Sequence, residues 1–165
     1  MMVMLGSSKV GNDKEVFSDV ASVNLAGGVF VAIDSDGKYK KVNASTDKVV
    51  GFVIAPGVGI GGNEAEVVDA KTSTDKPYLQ YVKKAGSMFS YVKRGNEKYV
   101  ELGADVDKDD PIYLNPSNGL VCGDASHTEG EGGDATTVNH IRIGNSVFNA
   151  AGVAGDIITI SFDLL

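Results

Sequence analysis

Two stretches decide how this chain reads. The first runs Gly28-Val29-Phe30-Val31, then Ser35-Asp36-Gly37, then Val49-Val50-Gly51-Phe52-Val53. The second runs Asp110-Pro111-Ile112-Tyr113-Leu114, then Ser117-Asn118-Gly119, then Ile141-Arg142-Ile143-Gly144 and Val147-Phe148. Each goes strand, Gly turn, strand, and then a further apolar strand that carries a glycine. β-Branched and aromatic residues bounded by Asp-Gly or Asn-Gly predict strands joined by tight turns. The expected fold is therefore all-β. It is a compact β-barrel or sandwich built from two related strand–turn–strand segments, with long loops and at most one short helix.

Composition supports that reading. A chain of 165 residues and 17.2 kDa buries roughly 70% of its unfolded surface and folds without a disulfide or metal. The 21 glycines fit many turns and bulges and argue against a helical bundle. A net charge of −7 repels phosphate backbones and disfavours nucleic acid as a partner. The basic zone Lys83, Lys84, Lys93 and Arg94 and the acidic zone Asp105, Asp107, Asp109 and Asp110 read as solvated surface, or as zones of opposite sign that meet between copies. Cys122 is the only cysteine, which excludes an intrachain disulfide. No stretch approaches the ~20 apolar residues of a membrane span, and the apolar start Met1-Met2-Val3-Met4-Leu5 is too short for a signal peptide. The expected site of synthesis is the host cytoplasm. Residues 1–20 read as an N-terminal arm or peripheral segment, and 21–165 as a single β domain.

Further strands are expected at Lys38–Val42, Lys48–Ile54, Pro77–Lys83, Ser87–Lys93 and Lys98–Leu102. The Pro77–Lys83 and Ser87–Lys93 pair read as a hairpin across Lys84-Ala85-Gly86. The remaining strands are Leu120–Cys122, His140–Ile143, Val147–Ala150 and Asp156–Phe162. Residues 63–71 read equally as two helical turns or a strand. The polar, Gly- and acid-rich run 123–136 reads as a mobile loop, ordered only by a partner.

Several motifs imitate chemistry. Gly57-Val58-Gly59-Ile60-Gly61-Gly62 has the G-x-G-x-x-G spacing, but Glu64 and Glu66 would compete with phosphate and no strand–helix series follows. The run from Asp105 to Asp110 resembles the start of an EF-hand loop but has Asp110 and Pro116 where Gly and Glu are required. His127 and His140 flank the expected loop without a recognisable triad or zinc spacing. No catalytic residue, metal ligand or cofactor is expected. Tyr78, Tyr81, Phe89, Tyr91 and Tyr99 are concentrated between residues 78 and 99. They read as cross-strand packing or as a contact surface.

The second stretch resembles phage capsid decoration (structural cement, auxiliary head) proteins. Asp109 to Gly119 looks like that family's "G-D-x-V-Y-v-…-G" segment, with Asp110-Pro111 where Gly-Asp is typical. Ala151 to Ile160 is similar to its closing "a-G-d-v-v-x-v-x-l" strand, and Leu25 to Val31 with Val49 to Val53 to its opening elements. The resemblance covers about two-thirds of the chain. It implies a non-enzymatic virion protein on the outer surface of a phage head, often a homotrimer, that stabilises the capsid by bridging major capsid protein subunits. Met1, Met2, Val3, Met4, Leu5, Tyr78, Tyr81 and Tyr91 are the candidate contacts with the capsid or between subunits. The competing expectation is a ligand- or glycan-binding β-module that uses Tyr78, Tyr81, Tyr91 and Tyr99 as a stacking platform.

Overall fold

The structure is a computed structural model that describes residues 3–8, 15–54, 66–72 and 77–165. Its strands are β1 (Val3–Met4), β2 (Phe17–Val20), β3 (Leu25–Ala26), β4 (Phe30–Ile33), β5 (Tyr39–Lys41), β6 (Gly51–Val53), β7 (Glu66–Thr72) and β8 (Pro77–Lys83). They continue with β9 (Met88–Val92), β10 (Arg94–Glu101), β11 (Pro111–Leu114), β12 (Val121–Cys122), β13 (Ser126–Glu129), β14 (Thr136–Asn139), β15 (Ile141–Val147) and β16 (Ile157–Asp163). The single helical element among the described residues is a 3₁₀ turn at Gly132–Asp134. The chain is all-β.

The repeated phrase is a repeated topology. In the first copy β4 is the central strand, with β5 on one side and β6 on the other; in the second, β11 is central between β12 and β15. The turns use the same local chemistry. The Asp34 carboxylate accepts the N–H of Asp36 (2.9 Å), and the Asn115 side-chain oxygen accepts that of Ser117 (2.9 Å). Each turn ends on a glycine at positive φ, +76° at Gly37 and +72° at Gly119, where a side chain would be strained.

The third strand of each copy carries its glycine for a different reason. A Cβ at Gly51 would stand inside the Tyr91 ring on the neighbouring strand β9. Gly144 lies where β15 bulges, with φ +52°, and its Cα faces the Asp163 carbonyl of β16. Arg142 fills that bulge and donates to the carbonyls of Ile112 (2.9 Å) and Ser146 (2.6 Å).

One core serves both copies. Phe30, Ala32, Phe52 and Val92 of the first half pack with Ile112, Leu114, Val121, Ile143 and Phe148 of the second, and Ile160 and Phe162 of β16 close the seam. Phe30, Phe52 and Phe162 meet as a triangle with centroids 4.9, 5.3 and 5.1 Å apart. The five-stranded sheet β2-β9-β6-β4-β5 is buried on both faces. Its alternate residues Val29, Val31, Val53, Phe89 and Tyr91 form a second cluster with Ala21, Leu25 and Tyr39. The sheets do not close into a barrel; their packing across the shared core is sandwich-like.

Four sequence expectations are revised. β8 and β9 do not pair as a hairpin: Lys84–Ser87 is a corner, after which the chain leaves the sheet of β1, β3 and β7 for the five-stranded one. The apolar run 48–54 forms pairing strand only at Gly51–Val53. Val147–Ala150, expected as a strand of its own, is not one: β15 runs on to Val147 and the next three residues lie outside any strand. Within the run read as an unstructured loop, β13 and β14 pair in register from Ser126↔Asn139 to Glu129↔Thr136. Of residues 63–71, Glu66–Thr72 is strand, antiparallel to β8. The glycine run 57–62 lies outside the described residues.

Phe162→Ala should cost about 3–5 kcal/mol, because a fully packed aromatic leaves a cavity at the seam. Gly51→Ala should cost about 1–3 kcal/mol through overpacking against Tyr91. Urea unfolding measures both, with loss of the two copies in one transition as the expected signature of a shared core.

Candidate functional site

The densest polar constellation joins residues far apart in sequence. Cys122, at the end of β12, has Sγ 3.2 Å from Nδ1 of His140. The same Nδ1 meets the Asp124 carbonyl. Nε2 of His140 lies 2.7 Å from Nδ1 of His127 on β13, whose Nε2 lies 2.9 Å from the Glu129 carboxylate. The register of the β13–β14 hairpin brings the two rings together, with centroids 5.0 Å apart. Burial pushes the Cys122 thiol above its ordinary value, which favours the thiol over the nucleophilic thiolate. The Ser117 hydroxyl, then His127, hold the Glu129 carboxyl below the usual carboxylate range.

Among the described residues, no group of three or more His, Cys, Asp or Glu side chains is placed to hold a metal ion. In the acidic run, the Asp110 carboxylate accepts the Asp107 N–H (2.8 Å) and that of Asp105 accepts the Ala154 N–H (2.9 Å). These carboxylates cap main-chain turns.

The predicted contact residues are divided by the fold. Met1 and Met2 lie outside the described residues. Val3 and Met4 form β1, which pairs in parallel with Tyr78 and Leu79 of β8. The chain then runs along β10: Gly6 N–H donates to the Tyr99 carbonyl and Tyr99 N–H to that of Ser7, each at 3.0 Å. Leu5 is 3% exposed and sits over Gly28, where a Cβ would collide with it. Residues 3–8 are therefore laid on their own chain, and Leu5 belongs to the interior.

Tyr91 is also interior, 5% exposed. Its hydroxyl is hydrogen-bonded to that of Tyr39 at 2.9 Å, and its ring packs against Phe17, Tyr39 and Phe89. The four tyrosines expected as a platform belong to three different sheets, with Tyr78 and Tyr81 on β8, Tyr91 on β9 and Tyr99 on β10. Tyr91 packs the sheet. Exposed large apolar side chains lie elsewhere, Val16 and Phe17 at one end of the β2–β9 pairing and Met88 at the other, opposite Val20.

A family model described as the XM1 gp53 minor capsid protein matches residues 7–162. The chain belongs to that family. The match runs from the segment beside β10 into β16 and so takes in both copies and the shared core. No curated protein and no solved structure matches this chain significantly. Membership makes the protein a phage capsid component with a structural role in the virion, in keeping with the resemblance carried by Asp109 to Gly119. No helix among the described residues is long and apolar enough to cross a membrane.

Burial raises the Tyr91 hydroxyl far above the ordinary tyrosine value, with the Tyr39 hydroxyl adding to the effect. The fold favours its neutral form, so this contribution is whole below about pH 10, where an unfolded tyrosine ionises, and declines as pH rises further. Alkaline titration should show Tyr91 ionising only as the protein unfolds, read by phenolate absorbance against circular dichroism. Tyr39→Phe should cost about 1 kcal/mol in thermal unfolding.

Proposed function

We propose that this minor capsid protein sits on the outer surface of a phage head and stabilises the shell by bridging major capsid protein subunits, without chemistry of its own, and that it does so as a homo-oligomer, a trimer by preference. The observation that carries the reading is a capsid-family match that spans the whole double β-body. The architecture is consistent with it. A shared core fixes the two copies as one rigid plug, and weak contacts repeated over a symmetric shell add through multivalency.

The contact surface proposed is the β2–β9 margin. Among the described residues β2 pairs only with β9; Val16 and Phe17 (37% exposed) lie at one end of that pairing and Met88 (59%) at the other, opposite Val20. An edge strand with exposed apolar side chains is open to a partner. Met1 and Met2 remain candidate contacts beyond the docked segment. The tyrosine platform of the glycan-binding alternative has no support, because its members are spread over separate sheets.

Binding of the purified protein to heads that lack it should saturate at a fixed number of copies per shell and raise the temperature at which the shell opens. Light scattering of the free protein should give the trimer mass. Met88→Glu should leave unfolding within about 0.5 kcal/mol of the parent and lower occupancy on heads several-fold. Unsaturable binding, or shells no more stable when decorated, would overturn the bridging role.

A further inference from the structure

The cluster of Cys122, His127, His140 and Glu129 has no task in the capsid reading, and its hydrogen atoms can be counted. The Asp124 carbonyl only accepts, so His140 Nδ1 must carry a proton. The Glu129 carboxylate, held ionised by Ser117 and His127, also only accepts, so His127 Nε2 must carry a second. The contact between the rings, 2.7 Å from Nδ1 to Nε2, needs a third on one of those two nitrogens. Two neutral imidazoles bring one N–H each. From this mismatch we infer that His127 and His140 share one additional proton, and that the resulting cation, balanced by Glu129, latches the β13–β14 hairpin onto the end of β12.

The hairpin needs such a latch. Its strands pair only with each other among the described residues, and their side chains are mostly exposed. A lone two-stranded hairpin is marginal in water. The ties that hold it are the two rings, the contact of His140 with Cys122 and Asp124, the reach of Glu129 to Ser117 in the β11–β12 turn, and the His140 N–H to the Ala125 carbonyl at 2.8 Å.

Of the neighbouring charges, the Asp124 carboxylate acts on the Cys122 thiol, and the others are engaged elsewhere. Asp110, beside Gly123, accepts the Asp107 amide. Arg142 of β15 is turned to the carbonyls of Ile112 and Ser146 and stands over the Tyr113 ring. Glu131 and Asp134 lie in the hairpin tip, beyond Glu129. Cys122 faces His140 as a neutral thiol. Glu129 is thus the carboxylate hydrogen-bonded to the ring pair.

A change of proton count in either direction breaks the set. The latched state binds one proton more than two neutral rings. Loss of that proton leaves one of the three contacts without a hydrogen. Acidification adds a fourth and sets two N–H groups head to head across 2.7 Å. The hairpin is held between those limits and released outside them.

Amide hydrogen exchange of the intact protein from roughly pH 5 to 9, with ¹⁵N spectra of the ring nitrogens, tests this. Three N–H protons should be found on the pair while the hairpin is protected. After correction for intrinsic rates, protection at Thr128, Glu129 and Thr136–Asn139 should fall about tenfold, the cost of one charge-assisted hydrogen bond, as the shared proton leaves. Amides of β10 and β16 should keep theirs. Glu129→Gln and His140→Asn should flatten the hairpin's pH dependence with β10 and β16 again unchanged. Two neutral rings beneath a protected hairpin, or hairpin protection that does not vary with pH or varies only with the core, would overturn the inference.

Discussion

Phe30 meets Phe52 and Phe162 edge to face, and those two rings meet at a tilt, at the seam between the two copies; the rest of the body depends on that contact. Cys122 is a lone free thiol, so no covalent staple joins the halves; hydrophobic burial and ring geometry do. Each such ring pair adds about 0.5–1.5 kcal/mol beyond area burial. The triangle brings together the first hairpin, its third strand and the last strand of the chain. The sheet that supplies Phe30 and Phe52 therefore cannot separate from the half that ends in Phe162 without opening the core. On its opposite face the same sheet packs Tyr39, Phe89 and Tyr91, so it is fixed from both sides.

Such a body suits a shell component. A virion protein works by holding a shape on a repeating lattice, and the core common to both copies joins them as one body. The less anchored parts are at the margins: the β13–β14 hairpin, which stands off the core on its histidine pair, and the β2–β9 margin with its exposed apolar side chains. Rigidity in the centre and reactivity to surroundings at the rim are separated in space.

The repeat was legible because turn chemistry is local. Asp34 and Asn115 each cap an amide two residues on, and Gly37 and Gly119 take a backbone conformation that few other residues tolerate. These requirements are written within five residues. Sheet membership is written nowhere locally, and so β8 and β9 read as a hairpin although they enter different sheets. The tyrosines between 78 and 99 are neighbours in sequence and are divided among three sheets for the same reason. The histidine cluster was illegible for another: Cys122, His127 and His140 are brought together by hairpin register, and the acidic, Gly-rich composition of 123–136 concealed the β-branched run Thr136-Thr137-Val138 that builds one arm of that hairpin. Leu5, read as exposed at a free end, is covered because Gly28 leaves room for it.

Strand β9 ends at Val92 and β10 begins at Arg94, so Lys93 alone carries the chain from the first sheet to the partner of β16. There is no slack at that junction. A pull on the β2–β9 margin passes through the single bend at Lys93 into the β10–β16 ladder, where the pairing from Arg94 to Glu101 lies across the strand and resists as a group. The molecule is thereby built as a tie rod, loaded in shear, with its far end clamped by the last strand of the chain.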